Sequence, residues 1–336
     1  MQHNIFLDAL SCSNTSERPP IWLMRQAGRY MQSYRVLREK HSFLGMCKEP
    51  ELIHKVTELP IHTFGFDAAI VFSDILLILE AFGFTVRFEE GVGPIIDPVL
   101  QSPQDVEKLR MESIEEKLAY VFEGIKLLKK TLKVPLLGFA GAPFTVASYL
   151  IEGKSSKDLK KTKEWMYKEP KSFSKLLNLI GEATAIYLNK LIDCGVDALQ
   201  IFDSWAHVLA YNQFQEFSLS PIENVMKKLK KCPVILFCRG SSYFFEGLSY
   251  LKPQGISLDW QCDMKEVRKK VGTGIALQGN LDPHLLFADQ NVVRREARML
   301  LEKMGKDPGF IFNLGHGILP ETPEDNVKAL VELVRI

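Results

Sequence analysis

At 336 residues the chain is long enough for one large domain or two ordinary ones, and a (β/α)8 barrel with insertions falls in this range. Its composition, 46% hydrophobic and 25% charged with 22 glycines and 17 prolines, is that of an ordinary globular fold. Forty-two basic against 41 acidic side chains leave a formal charge of +1, so bulk nucleic-acid binding is not expected and any affinity for anions must come from a local cluster.

In chain order, residues 1–20 are polar, end in Arg18-Pro19-Pro20 and read as a mobile N-terminal arm. They carry neither a basic leader nor a long apolar run, so no export signal is visible. Ile21 to Met24 reads as a short buried strand that delivers two guanidiniums, Arg25 and Arg29, across small residues and Gly28. Arginine forks onto carboxylate or phosphate through paired hydrogen bonds, so the pair suits a clamp for a polyanionic small molecule; two surface arginines on a first helical turn is the plainer alternative. From Pro50 the apolar positions Leu52, Ile53, Val56 and Leu59 recur at helical spacing, and Pro60 is expected to kink or end that helix.

Ala68 to Phe72 is the second strand, with Asp74 just beyond it. A carboxylate there must be hydrogen-bonded, paired or turned to a ligand, and it could equally cap the next helix. The apolar window from Ala68 to Phe84 is broken by Asp74 and Glu80 and is too short to span a bilayer, which leaves a cytoplasmic enzyme as the default. Residues 84–98 read as a hairpin inserted after the second strand, and a charged helix is expected from about Pro103 to Leu132.

Val134 to Phe139 is the third strand, followed by small residues that allow a ligand near the backbone, and then by Tyr149. The lysine-rich stretch from Lys154 to Lys168 reads as a solvated helical face, and Pro170 to Cys194 as a long amphipathic helix stopped by Gly195. Further strands begin near Asp197, Pro233, Gly255, Gly274 and Gly309. They lead to Asp203-Ser204, Arg239, Asp259, Asn280 with Asp282, and Gly315-His316-Gly317.

Eight short apolar strands, mostly separated by helical patterns, predict a parallel sheet covered on both faces. The expected fold class is therefore α/β, a (β/α)8 TIM barrel in one domain spanning 1–336. In such a barrel the polar residues after each strand gather on one face. This yields a candidate site of Arg25, Arg29, Asp74, Tyr149, Ser204 and His316, with Asp203, Arg239, Asp259, Asn280 and Asp282 as further candidates. Arginines, a histidine and hydroxyls describe a pocket for carboxylates or phosphates. No zinc-protease, Walker-loop or nucleophile-elbow motif is present, and the six scattered cysteines read as reduced and structural.

Pro20 to Tyr30 and Gly138 to Gly153 resemble the two signatures of the uroporphyrinogen decarboxylase family. Phe72-Ser73-Asp74, Phe202 to Trp205, Gln278 to Pro283 and Asn313 to Ile318 fall in that family's order, so the resemblance covers nearly the whole chain. It implies a homodimeric (β/α)8 barrel without metal or prosthetic group, converting uroporphyrinogen to coproporphyrinogen by removing four acetate carboxyls as carbon dioxide. Carried over by motif, the catalytic positions are Asp74 and Arg25, and the substrate-binding positions are Arg25, Arg29, Asp74, Tyr149, Ser204 and His316; the proton donor stays open. The chain departs from the pattern at Gln32, commonly proline, expected to loosen the loop after the arginines, and at His207, commonly glycine, which adds an imidazole near Ser204.

Overall fold

The computed structural model describes residues 4–89 and 91–336. Apolar runs too short for helices become strands. β1 (Ala69–Ile70) is followed by β2 (Thr85–Glu89) and β3 (Gly93–Asp97), then by β4 (Leu136–Gly141), β5 (Ala198–Asp203), β6 (Val234–Cys238), β7 (Gly255–Ser257), β8 (Ala276–Leu281) and β9 (Phe310–Leu314). β2 and β3 pair antiparallel, with Thr85 opposite Asp97 and Glu89 opposite Gly93; Glu90, at the turn expected there, lies outside the described residues. The other seven form one curled parallel sheet in the order β1-β4-β5-β6-β7-β8-β9. β6 and β9 are buried at every position, as parallel strands covered on both faces require.

The stretch before Arg25 was expected as a strand, yet only Ile21 forms a bridge, parallel to Phe312. Pro19 and Pro20 have no amide hydrogen to give, which keeps the ladder short. What remains joins the two edges of the sheet. The Phe312 N–H donates to Pro20 O at 2.9 Å on the β9 side, and the Asp67 N–H donates to Ile21 O at 2.9 Å just before β1. Asp67 reinforces the seam: its carboxylate takes the Arg18 guanidinium at 2.7 and 2.9 Å and the Ile21 N–H at 2.8 Å.

Inside the curl, polar side chains satisfy one another. Trp22 Nε1 donates to Gln278 Oε1 at 2.9 Å, and Gln278 Nε2 reaches Ser257 Oγ at 2.9 Å and Gln200 Oε1 at 3.1 Å. Gln200, Ser257 and Gln278 are fully buried, so each unmade bond would carry a desolvation penalty.

Several expected elements differ. The arm over 1–20 contains a helix, Ile5–Leu10, capped by Asn4 and burying Phe6, Ala9 and Leu10; residues 1–3 lie outside the described residues. Pro60 does not end its helix, which runs Pro50–Phe64 and closes on Gly65 at φ 72. The charged helix expected over 103–132 is three pieces, Pro103–Lys108, Ile114–Lys117 and Ala119–Thr131. Ser113 caps the second start by accepting the Glu116 N–H, so a local side-chain bond competes with one continuous helix. The long helix is Pro170–Asp193, with Gly195 at φ 98 behind it, while the lysine-rich stretch is helical over Lys160–Lys168. Among the described residues no helix is long and apolar enough to cross a membrane. All six cysteines are free thiols.

Candidate active site

The residues at the ends of the parallel strands gather around Arg25. This residue stands in the left-handed region at φ 60, a strained conformation for a side chain of its size. Its neighbour Met24 is held from both sides: the Met24 N–H donates to Asn313 Oδ1 at 3.1 Å, and Met24 O accepts the Ile318 N–H at 2.9 Å. The Gly315-His316-Gly317 turn completes the seat. A Cβ on Gly317 would lie 2.4 Å from Arg25 Cδ, and one on Gly315 would lie 2.6 Å from the Trp260 backbone nitrogen. Both glycines are required by close approach.

The loop from Arg25 to Arg29 is braced before any ligand arrives. Tyr30 donates its hydroxyl to Gln26 O at 2.6 Å, and Arg35 Nη1 donates to Arg29 O and Tyr30 O at 2.9 and 2.7 Å. Gln32 does not loosen it: this residue opens the helix Gln32–Lys40, and its backbone N–H donates to Glu324 Oε2 at 2.9 Å, a bond proline could not make. Arg25 and Arg29 themselves remain open to solvent.

Asp74, after β1, faces this cation. Its Oδ1 accepts the Leu76 N–H at 2.9 Å, so the residue serves the following turn and still presents charge to Arg25. Protein crowds it on nearly every side although it keeps some contact with water, the mark of a concave cleft. That burial pushes its carboxyl up to about 6, against the Leu76 N–H and the Arg25 guanidinium. Arg25, crowded by protein although its surface still meets water, is shifted below its ordinary value by that crowding, opposed by Tyr149 and Asp74 and assisted by Arg29. The four side chains therefore share one electrostatic neighbourhood.

Tyr149 lies on the helix Pro143–Glu152 that follows β4, its ring 6.0 Å from Trp205. Trp205 in turn stacks on His207 at 6.0 Å and 26°. Ser204 directly follows β5, and its carbonyl accepts from His207 Nδ1 at 3.0 Å, which places that proton on Nδ1. His316 packs edge-on against Phe237 at 5.6 Å. Burial lowers its pKa to about 3, helped by Arg25, Arg239 and His207, so the free protein holds it neutral. His207 is lowered too, by burial and then by Arg239.

Other candidates are occupied elsewhere. Asp203 is fully buried and accepts from Thr145 Oγ1 and Ser218 Oγ, both at 2.5 Å. Asp259 accepts the Gly240 and Gln261 N–H groups at 2.6 and 3.2 Å. Asn280 donates to Asp259 O and Cys262 O, and Asp282 caps the short helix Pro283–Phe287. These four hold strand ends in place. Among the described residues no group of three or more His, Cys, Asp or Glu is placed to hold a metal ion. The arrangement brings the Asp74 carboxylate together with cations, hydroxyls and neutral imidazoles, and suits an acidic ligand.

Comparison with known proteins places the whole chain in one family. A family model described as "Uroporphyrinogen decarboxylase (URO-D)" matches residues 1–336. The uroporphyrinogen decarboxylase of Protochlamydia amoebophila is 56% identical over 330 residues, covering 98% of this chain and 90% of that protein. That of Legionella pneumophila (strain Corby) is 41% identical over 341 residues, covering 99% and 97%. Among solved structures, a methyltransferase from Methanosarcina mazei superposes with a TM-score of 0.80 at 22% identity, covering 98% of this chain and 97% of that one. A B12-independent methionine synthase from Shewanella gives 0.57 at 14% identity, over 94% of each chain. At these identities the two structures speak for the fold alone.

Proposed function

Because the chain belongs to the uroporphyrinogen decarboxylase family, we propose that its cleft acts through Asp74 and Arg25 as catalytic residues, with Arg25, Arg29, Asp74, Tyr149, Ser204 and His316 binding substrate. The enzyme removes the acetate carboxyls of uroporphyrinogen to give coproporphyrinogen and carbon dioxide in porphyrin biosynthesis. Breaking the carbon–carbon bond leaves an electron pair on the arm, and a pyrrole protonated on a ring carbon accepts it, so the substrate carries its own electron sink. Asp74, ionised, accepts the pyrrole N–H groups and stabilises the positive charge as it develops. Arg25 and Arg29 hold carboxylate arms, and Tyr149, Ser204 and neutral His316 orient others by hydrogen bonds. Propionate arms survive because their carboxyl is one carbon too far from the ring to use that sink.

The observation that carries this reading is the Asp74 carboxylate set against the Arg25 guanidinium, in a neighbourhood shared with Tyr149 and a neutral His316. Its test is incubation with uroporphyrinogen under reducing, anaerobic conditions, with product carboxyls counted by chromatography. Asp74→Asn keeps the acceptor for Leu76 and removes the charge, and should lower turnover by about 10²–10³. Full activity in that variant would rule out the electrostatic role.

The same reading takes the fold as a (β/α)8 barrel in one domain, with Pro20–Trp22 as the eighth stave and β2–β3 inserted after β1; the hydrogen bonds from Pro20 and Ile21 to both sheet edges support it. It also takes the enzyme as a cytoplasmic homodimer, to be checked by sedimentation at several concentrations.

A further inference from the structure

Arginines that a fold uses for its own support show it in their bonds. Arg18, Arg268, Arg294 and Arg295 face carboxylates. Arg35, Arg38, Arg110 and Arg335 donate to backbone carbonyls. Among the described residues Arg25, Arg29 and Arg239 do neither, and all three belong to strand ends or loops at the cleft. The other unpaired arginines, Arg87 and Arg298, sit on β2 and on the outer helix Gln290–Met304.

Arg239 comes directly after β6. Two residues earlier, Phe237 lays its ring against His316 at 5.6 Å. Alternate residues of a strand face the same way, so Arg239 continues the face that looks onto His316, while Cys238 between them is fully buried on the other. The turn that carries Arg239 is firmly braced. Its own N–H donates to Asp203 O at 3.4 Å, and the next N–H, from Gly240, reaches the buried Asp259 carboxylate at 2.6 Å. Gly240 adopts φ 74, and a Cβ there would lie 2.9 Å from His207 Cβ, so His207 packs directly on the turn. An exposed guanidinium with no protein partner is thus held on a rigid support beside a substrate-binding histidine.

Arg25, not Arg239, is the cation that acts on Asp74. Arg239 follows β6 and Asp74 follows β1, with β4 and β5 lying between those strands in the sheet. Resting on the decarboxylase reading above, we infer that Arg239 is a further substrate-binding residue, gripping a carboxylate arm that is not reacting while Asp74 and Arg25 act on another. An octa-acid offers such arms at every step, and binding energy from them orients the arm that reacts.

The test compares wild type, Arg239→Gln, Arg239→Lys and Arg298→Gln, the last an unpaired arginine on an outer helix. With uroporphyrinogen, R239Q is expected to raise KM about tenfold, as for loss of a charge-assisted hydrogen bond, with kcat within about twofold. R239K should recover most of the affinity, R298Q should match wild type, and the KM of R239Q should depend less on ionic strength. Because the Arg239 guanidinium makes no hydrogen bond or ion pair with protein, thermal midpoints should coincide. An unchanged KM in R239Q, or a fall in kcat alone, would overturn the assignment. Anaerobic equilibrium binding of uroporphyrinogen separates the two readings: absence of turnover in wild type would sink the decarboxylase assignment, whereas equal affinities of wild type and R239Q would sink Arg239.

Discussion

Asp74 is held in a form that costs the protein stability. In the unfolded chain its carboxyl titrates at the ordinary value of 3.8, and in the folded protein at about 6. Folding therefore favours the protonated form; that contribution is complete below the unfolded value and is lost as pH rises through the folded one. Two outcomes follow for Asp74→Asn. Its thermal midpoint should exceed that of wild type at about pH 8, and the difference should vanish near pH 4. In wild type, kcat/KM should fall as pH drops through about 6, since the ionised carboxylate is the working form. A variant less stable than wild type at pH 8 would contradict this account. Gly317 is a second residue whose chemistry is steric. Gly317→Ala forces Arg25 aside, its Cδ being 2.4 Å from the new carbon. At least a tenfold loss of kcat/KM is expected, about 1.4 kcal/mol, with little change in thermal midpoint, measured on the same preparation. Asp74 and His316 were legible in the sequence because each ends a short apolar run. Asp203 looked the same on paper. It differs because Thr145, 58 residues away, and Ser218, 15 away, turn their hydroxyls onto it. No local pattern encodes that.

At the scale of elements, buried carboxylates act as rivets between strand ends and the helices that follow. Thr145, on the helix Pro143–Glu152, gives its hydroxyl hydrogen to Asp203 at the end of β5 and accepts the Trp205 N–H at 3.1 Å. Thr145→Val preserves volume but removes a hydroxyl donor from the buried Asp203 carboxylate and the acceptor of the Trp205 amide. A destabilisation of about 1–3 kcal/mol is expected from urea unfolding, and an unaltered midpoint would show that Ser218 and the Thr145 backbone N–H satisfy Asp203. Strands were easier to place from the sequence than helices. β4 to β9 each begin at or close behind a glycine or proline and carry mostly apolar side chains, so their positions were visible. The break at residues 109–113 was not, because Ser113 restarts a helix where charge and periodicity alone suggest continuity. Pro60 does not end its helix, since helical bonding carries on past it to Gly65. Gln32 shows the same limit, for its partner Glu324 is 292 positions distant.

At the scale of the molecule, the sheet depends on a seam only a few residues wide. Asp67 ties it through the Arg18 guanidinium and the Ile21 N–H, with both side chains mostly shielded from solvent. Asp67→Ala should cost about 2 kcal/mol of stability, a charge-assisted pair plus a backbone bond discounted for partial exposure. It should also reduce activity, because the same segment leads into Arg25; the check is urea unfolding paired with a turnover assay. A stability loss with full activity would mean that the arginine loop is positioned independently of the seam. The parallel architecture was visible in the succession of strands, whereas the thinness of this join was not, since it follows from Pro19 and Pro20 lacking amide hydrogens and from partners far along the chain.

Asn313 and Ile318 grip Met24 from the opposite end of the polypeptide. On a ribosome adding about 5–20 residues each second, the 289 positions separating Met24 from Asn313 take roughly 15–60 s to make. Throughout that interval Arg25 has no seat. On the substrate-binding role proposed for Arg25, a nascent chain is thus unable to seize an acidic tetrapyrrole until β9 is out, and premature termination before Phe310 yields a product with the guanidinium but without the geometry.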